Sequence, residues 1–192
     1  SLATPFDHEG NLYKTKVRHN VERWNRAGLS GYAVCGPAGE SVHLSFEEKC
    51  ELFSLVAEAA APGRLLIAGC VAESVRETVA LANRAAASGY QAAMALTPHH
   101  DRSLLSRAGS QALYFRAVAD QAKIPVILHN RPQATGIDIA AETVALLSEH
   151  PNIIAINEGS DDPEKVSRII RGAKPGFQVL CGILGVRPRP RF

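Results

Sequence analysis

The sequence predicts an α/β protein built on a parallel sheet. Three observations carry that reading. Short apolar runs alternate with amphipathic segments along the whole chain. The unit recurs about every 25 to 35 residues, a spacing that fits right-handed strand–helix–strand units. The apolar runs are near-continuous rather than alternating, as strands covered on both faces require.

The elements follow in order. Strands are predicted over 28–36, 64–71, 92–98, 125–130, 152–158 and 178–183. Between them, 14–27 sets Val17, Val21 and Trp24 on one helical face. Residues 45–61 open with a capping box, Ser45 with Glu48, and bury Leu52, Val56 and Ala59. Ser74 with Glu77 opens the next helix in the same way. Helices over 108–122, 140–149 and 163–171 complete the series, the last with Pro163 at a first helical position and Asp161 or Asp162 as cap. Gly28, Gly63 and Gly89 each follow a helix, where a left-handed turn is usual.

Barrels and doubly wound sheets both share this alternation. A dinucleotide fold calls for G-x-G-x-x-G after its first strand, and Gly36-x-x-Gly39-Glu40 is not that fingerprint. The composition, 46% hydrophobic and 21% charged, is that of a globular domain. A net charge of +2 gives no global field for nucleic acid or a membrane surface. No apolar run approaches the roughly 20 residues of a membrane helix. The start, Ser1 to Phe6, reads as neither signal nor transit peptide. Cys35, Cys50, Cys70 and Cys181 are scattered without metal spacing, which points to free buried thiols in a reducing cytoplasm.

Seven segments lie in family order: Thr4-Pro5-Phe6, Gly36 to Ser41, Ile67-Ala68-Gly69, Thr97 to His100, Pro125 to Pro132, Thr135-Gly136, and Ile156 to Ser160. On these the chain resembles the dihydrodipicolinate synthase / N-acetylneuraminate lyase family, pyruvate-dependent class I aldolases, over nearly its whole length. The run Leu147 to Ile153 is also similar to the 4-hydroxy-2-oxoglutarate aldolase branch. The resemblance implies a (β/α)8 TIM barrel, here truncated after the seventh strand, with the six strands above as its second to seventh. It implies a lyase that works by a Schiff base on pyruvate or another 2-oxo acid, without a cofactor. The site lies at the C-terminal ends of the strands. A lysine ending the sixth strand makes the Schiff base, a tyrosine ending the fifth relays protons, and the loop after the second strand holds the keto-acid carboxylate.

This chain departs from that plan where the chemistry is done. The lysine position is Asn157, whose amide nitrogen is no nucleophile toward a ketone. Lys14, Lys16, Lys49 and Lys165 are on predicted helices, and Lys123 and Lys174 precede strands, so none is placed to substitute. The relay tyrosine position is His129, which either transfers protons or fills an aromatic slot with its hydrogen bonds satisfied. In the carboxylate loop of Gly36, Pro37, Ala38, Gly39 and Glu40, both hydroxyl positions are lost, and the N–H groups of Ala38 and Gly39 remain as donors. His100 takes the second tyrosine position, which in family tetramers reaches a neighbouring subunit's site. Ala134 stands where the synthases place an arginine for the second substrate.

Two further constellations are drawn from the residues. His99, His100 and His129 would suit a zinc-type ion if they converge, although their scatter along the chain favours no metal site. Glu40 and Glu158 would form an acid/base pair if they meet. The domain is read as residues 1–184 and the end, 185–192, as an irregular Arg/Pro tail, because alternating proline cannot continue a helix. An unclosed barrel leaves open edge strands, which predicts an association-prone protein.

The expected function is thus the family's lyase chemistry, weak or lost through Asn157. The alternatives are a non-catalytic member that binds a small carboxylate or a full-length paralogue, and a degenerate gene product. Expected partners are a small 2-oxo acid such as pyruvate and further copies of the chain or a paralogue, with neither nucleic acid nor membrane.

Overall fold

The computed structural model describes residues 1–181. Six strands form one sheet in chain order: β1 (Gly31–Val34), β2 (Leu65–Cys70), β3 (Ala92–Leu96), β4 (Val126–Asn130), β5 (Ile153–Glu158) and β6 (Gln178–Cys181). All five pairings are parallel. Among the described residues β1 and β6 do not pair with each other, so the sheet is a curled, open part of a barrel. The N-terminal segment runs beside β1, where the Leu2 N–H donates to the Ala33 carbonyl at 2.9 Å.

The helices form where their caps and stripes dictate. They are α1 (Lys14–Asn25), α2 (Phe46–Ala59), α3 (Val75–Ala87), α4 (Arg102–Leu105), α5 (Ala108–Gln121), α6 (Pro132–Thr135), α7 (Ala141–Ser148) and α8 (Pro163–Gly172). The capping box at α2 is complete: the Glu48 N–H donates to Ser45 Oγ and the Ser45 N–H to Glu48 Oε2. At α3 only half of it forms. Ser74 Oγ accepts from the Glu77 N–H, but the Glu77 carboxylate does not return the bond. At α8 the cap is Asp162, which accepts from the N–H groups of Glu164 and Lys165.

Strand ends are shorter than predicted for identifiable reasons. Gly28, with φ +63°, is spent on the turn after α1, and Cys35, with φ +55°, leaves the extended region just past β1. The predicted end of the sixth strand at Ile183 and the 184/185 boundary lie outside the described residues. Three of the expected buried thiols, Cys35, Cys50 and Cys70, are buried, whereas Cys181 on the edge strand is exposed.

Between sheet and helices lies the main core, with Phe53, Leu81, Phe115, Leu147, Ile156 and Ile169 fully buried. Burial on that scale stabilises by about 1.5–3 kcal/mol per large apolar side chain. The barrel-facing side holds a much smaller cluster of Ala92, Met94, Ile127 and Ala155, with Ile67 against it. The seam between β1 and β2 is pinched. A side chain on Gly31 would run into the backbone of Leu65, and one on Gly69 into the Cys35 carbonyl.

Candidate active site at the barrel mouth

The last residues of β4 and β5 place the site. Successive strand residues face opposite sides. Ile127 and Ala155 face the barrel, so the next pair on that face is His129 and Asn157, which are register partners. Leu128 and Ile156 face the helices, and with them Asn130 and Glu158, also register partners.

On the barrel face, the Asn157 amide nitrogen contacts Met94 Sδ at 3.5 Å. His129 is buried, at 4% exposure, and its ring makes no hydrogen bond to any described residue. Among the described residues, the partner expected of a satisfied histidine is not present. Burial, aided by the Arg131 charge, lowers its pKa to about 4. At neutral pH this imidazole is uncharged, and it can accept a proton but holds none to donate as imidazolium.

On the helix face, Asn130 Nδ2 donates to Asp138 Oδ1 at 2.7 Å and to Glu158 Oε1 at 2.8 Å. Asn130 Oδ1 accepts from the Ile139 N–H. The Lys165 ammonium, reaching in from α8, pairs with Glu158 Oε2 at 3.1 Å and with Asp138. The Ser160 N–H adds a bond to Glu158 Oε1 at 2.7 Å. Glu158 and Lys165 are 0% and 3% exposed, so the charges are buried as a mutually satisfied set. This cluster was not anticipated from the sequence, where Lys165 reads as an ordinary helical lysine.

The carboxylate loop is corrected in one respect. Residues Pro37–Gly39 form a tight helical turn, and the Gly39 N–H donates to the Gly36 carbonyl at 2.9 Å. That donor is occupied. The Ala38 N–H, at the start of the turn, has no acceptor within it. Glu40 follows in the left-handed region with φ +52°, and its side chain is exposed. The Thr4 hydroxyl donates to the Gly39 carbonyl at 2.7 Å and ties the loop to the N-terminal segment.

The other expected constellations are not assembled. Glu158 is committed behind the sheet while Glu40 is exposed, so they make no acid/base pair. His99 Nδ1 lies 3.1 Å from Glu73 Oε1, His100 is exposed and His129 is buried on its own. Among the described residues no three His, Cys, Asp or Glu side chains are placed to hold a metal ion. Both histidine backbone N–H groups donate to Glu73 Oε2, which pins the loop after β3. Ala134 is exposed on α6.

The two buried lysines lie away from Asn157. Lys165 is behind β5, and Lys49 Nζ, buried between α2 and the sheet, donates to the Val71 carbonyl at 3.2 Å. Two buried hydroxyls at the mouth end, Thr97 Oγ1 and Ser160 Oγ, have no partner among the described residues. No helix among the described residues is long and apolar enough to cross a membrane.

Comparison with known proteins agrees with this plan. The profile of the dihydrodipicolinate synthetase family matches residues 1–187. The chain is 36% identical over 185 residues to a 4-hydroxy-tetrahydrodipicolinate synthase of Methanothrix thermoacetophila, covering 95% of this chain and 60% of the relative. It is 38% identical over 182 residues to the Xanthomonas axonopodis pv. citri synthase, covering 95% and 59%. In structure it is similar to a dihydrodipicolinate synthase of Bacillus anthracis, with a TM-score of 0.88, 29% identity, and 95% and 61% coverage. It is also similar to a prophage protein of the same family from E. coli K12 solved with pyruvate, at TM-score 0.87 and 27% identity over 94% of this chain and 61% of that one. The chain thus spans about 60% of the length of the relatives it matches.

Proposed function

The chain belongs to the dihydrodipicolinate synthetase family, and on that premise we propose that its barrel mouth binds a small 2-oxo acid such as pyruvate without forming the Schiff base. One observation carries this reading. Asn157 occupies the last barrel-facing position of β5, directly across the register from His129. The resemblance puts the lysine there. An amide lone pair is delocalised into its carbonyl and does not attack a ketone. The family's lyase chemistry needs that attack, because the iminium is the electron sink for making or breaking the carbon–carbon bond.

Binding needs less. The Ala38 N–H stands free at the start of its turn for the carboxylate, and the uncharged His129 imidazole can accept a hydrogen bond. Pyruvate is bound by the E. coli relative, which supports this ligand class. The exposed Leu180, across the register from Asn157 on the barrel side, favours a second reading, a non-catalytic chain that associates with another copy or a longer relative. We place the protein in the cytoplasm on the same footing, since its buried thiols suit a reducing compartment.

The test is Asn157→Lys. In this variant, the new amine expels water from the pyruvate carbonyl to give an iminium, and borohydride delivers hydride to it. Intact-mass measurement then shows one added reduced pyruvate, whereas the wild-type chain shows none. An adduct on the wild-type chain would overturn the reading. Absence of adduct in the variant would show that the pocket, and not only the nucleophile, is lost.

A further inference from the structure

Arg131 is a positive charge at this mouth that no described acid neutralises. It directly follows β4, and the two-residue alternation sets it on the barrel face with His129. Its backbone is fixed, for its carbonyl accepts from the N–H groups of Ala134 and Thr135 at 3.0 and 2.9 Å and from the Thr135 hydroxyl at 3.0 Å. Its stem lies along Gly159, where a Cβ would come within 3.5 Å of Arg131 Cγ and 2.7 Å of the Asn130 carbonyl. Gly159 thus leaves open the space the arginine uses, two residues beyond Asn157 on the same strand face.

Arg131 is half-buried, yet its guanidinium makes no ion pair or hydrogen bond with any described residue. The nearby acids are engaged elsewhere. Glu158 and Asp138 hold Lys165, Asp161 accepts from Gln133, and Glu73 holds the loop after β3. Residues 182–192 contain no Asp or Glu. A planar fork of N–H donors matches a carboxylate, which it can bind through two parallel bonds.

We propose that Arg131 binds a second carboxylate of the ligand, so that the chain selects 2-oxo acids bearing a distal carboxylate over pyruvate. The assignment rests on the reading that the mouth binds a 2-oxo acid. It places the distal ligand at the end of β4 and not at Ala134, which is exposed on α6.

Calorimetric titration of the whole chain with pyruvate and with 2-oxoglutarate tests it, in the wild type and in Arg131→Leu and Arg131→Lys. The wild type should bind 2-oxoglutarate about tenfold or more tightly than pyruvate, the margin of one charge-assisted bond. That ratio should fall to about one in Arg131→Leu. Arg131→Lys, which keeps the charge but loses the fork, should fall in between, and it carries the test should the leucine variant not fold. Equal wild-type affinities, or a ratio that survives both substitutions, overturns the role of Arg131 while leaving the 2-oxo acid reading intact. Failure of both acids to bind overturns that reading and this one with it.

Discussion

The two faces of the β4–β5 pair differ in how their polar groups are used. Behind the sheet, Asn130, Asp138, Glu158 and Lys165 satisfy one another, and the Ile139 and Ser160 N–H groups complete the set. One residue away, on the barrel face, His129 has no hydrogen bond to a described residue, and among those residues Asn157 bonds only a thioether. Buried polar groups are normally paired. The helix face therefore reads as a device that holds the strand ends in place. The barrel face holds the groups that the proposed 2-oxo acid would meet.

The largest effect expected is on the helix face. Lys165→Met leaves Glu158 buried without its cation and should destabilise by about 3 kcal/mol or more, read from urea unfolding. A second change, Glu158→Gln in the same chain, should recover part of the loss. A cost within about 0.5 kcal/mol would show that the cluster is dispensable and would erase the contrast.

Next is His129, through pH. Its folded pKa is near 4 against an ordinary 6.5, so the unfolded chain takes the proton first as pH falls. The stability tied to the neutral ring is complete above pH 6.5 and is lost as pH falls to about 4. The shift corresponds to about 3 kcal/mol. Unfolding free energies between pH 7 and pH 4 should therefore fall more steeply for the wild type than for His129→Gln. Superimposable profiles would mean that the imidazole is solvated.

The smallest effect has the opposite sign. The Thr97 hydroxyl is buried without a partner, so Thr97→Val should stabilise by up to about 1 kcal/mol. A loss of stability would reveal a partner for that hydroxyl and move Thr97 to the satisfied side of the comparison.

The strands were legible because their interiors are apolar runs, and their ends were not because backbone geometry sets them. Cys35 shows this: nothing in its side chain announces a left-handed backbone. The short helices α4 and α6 escaped prediction, since four residues carry too little periodicity to register. Asn157 and His129 were found through ordered motifs, which fix position without showing what each side chain touches. The occupied Gly39 N–H lay beyond reach for the same reason. Lys165 did leave a signal. It lies four residues before Ile169, so both belong to one helical stripe, and both are buried. A lysine in an apolar stripe calls for a buried acid, and the acids nearest in the fold are Asp138 and Glu158.

The pinched seam between β1 and β2 also bears on the energetics of recognition. Gly31 and Gly69 let the two backbones approach more closely than any side chain would allow, one at each end of the contact. The loop that begins at Gly36 springs from this seam and is stapled again by Thr4. Its anchors therefore have little slack. The proposed 2-oxo acid would meet at Ala38 a surface already in shape, so the ordering penalty that erodes the affinity of floppy sites would be largely settled at folding.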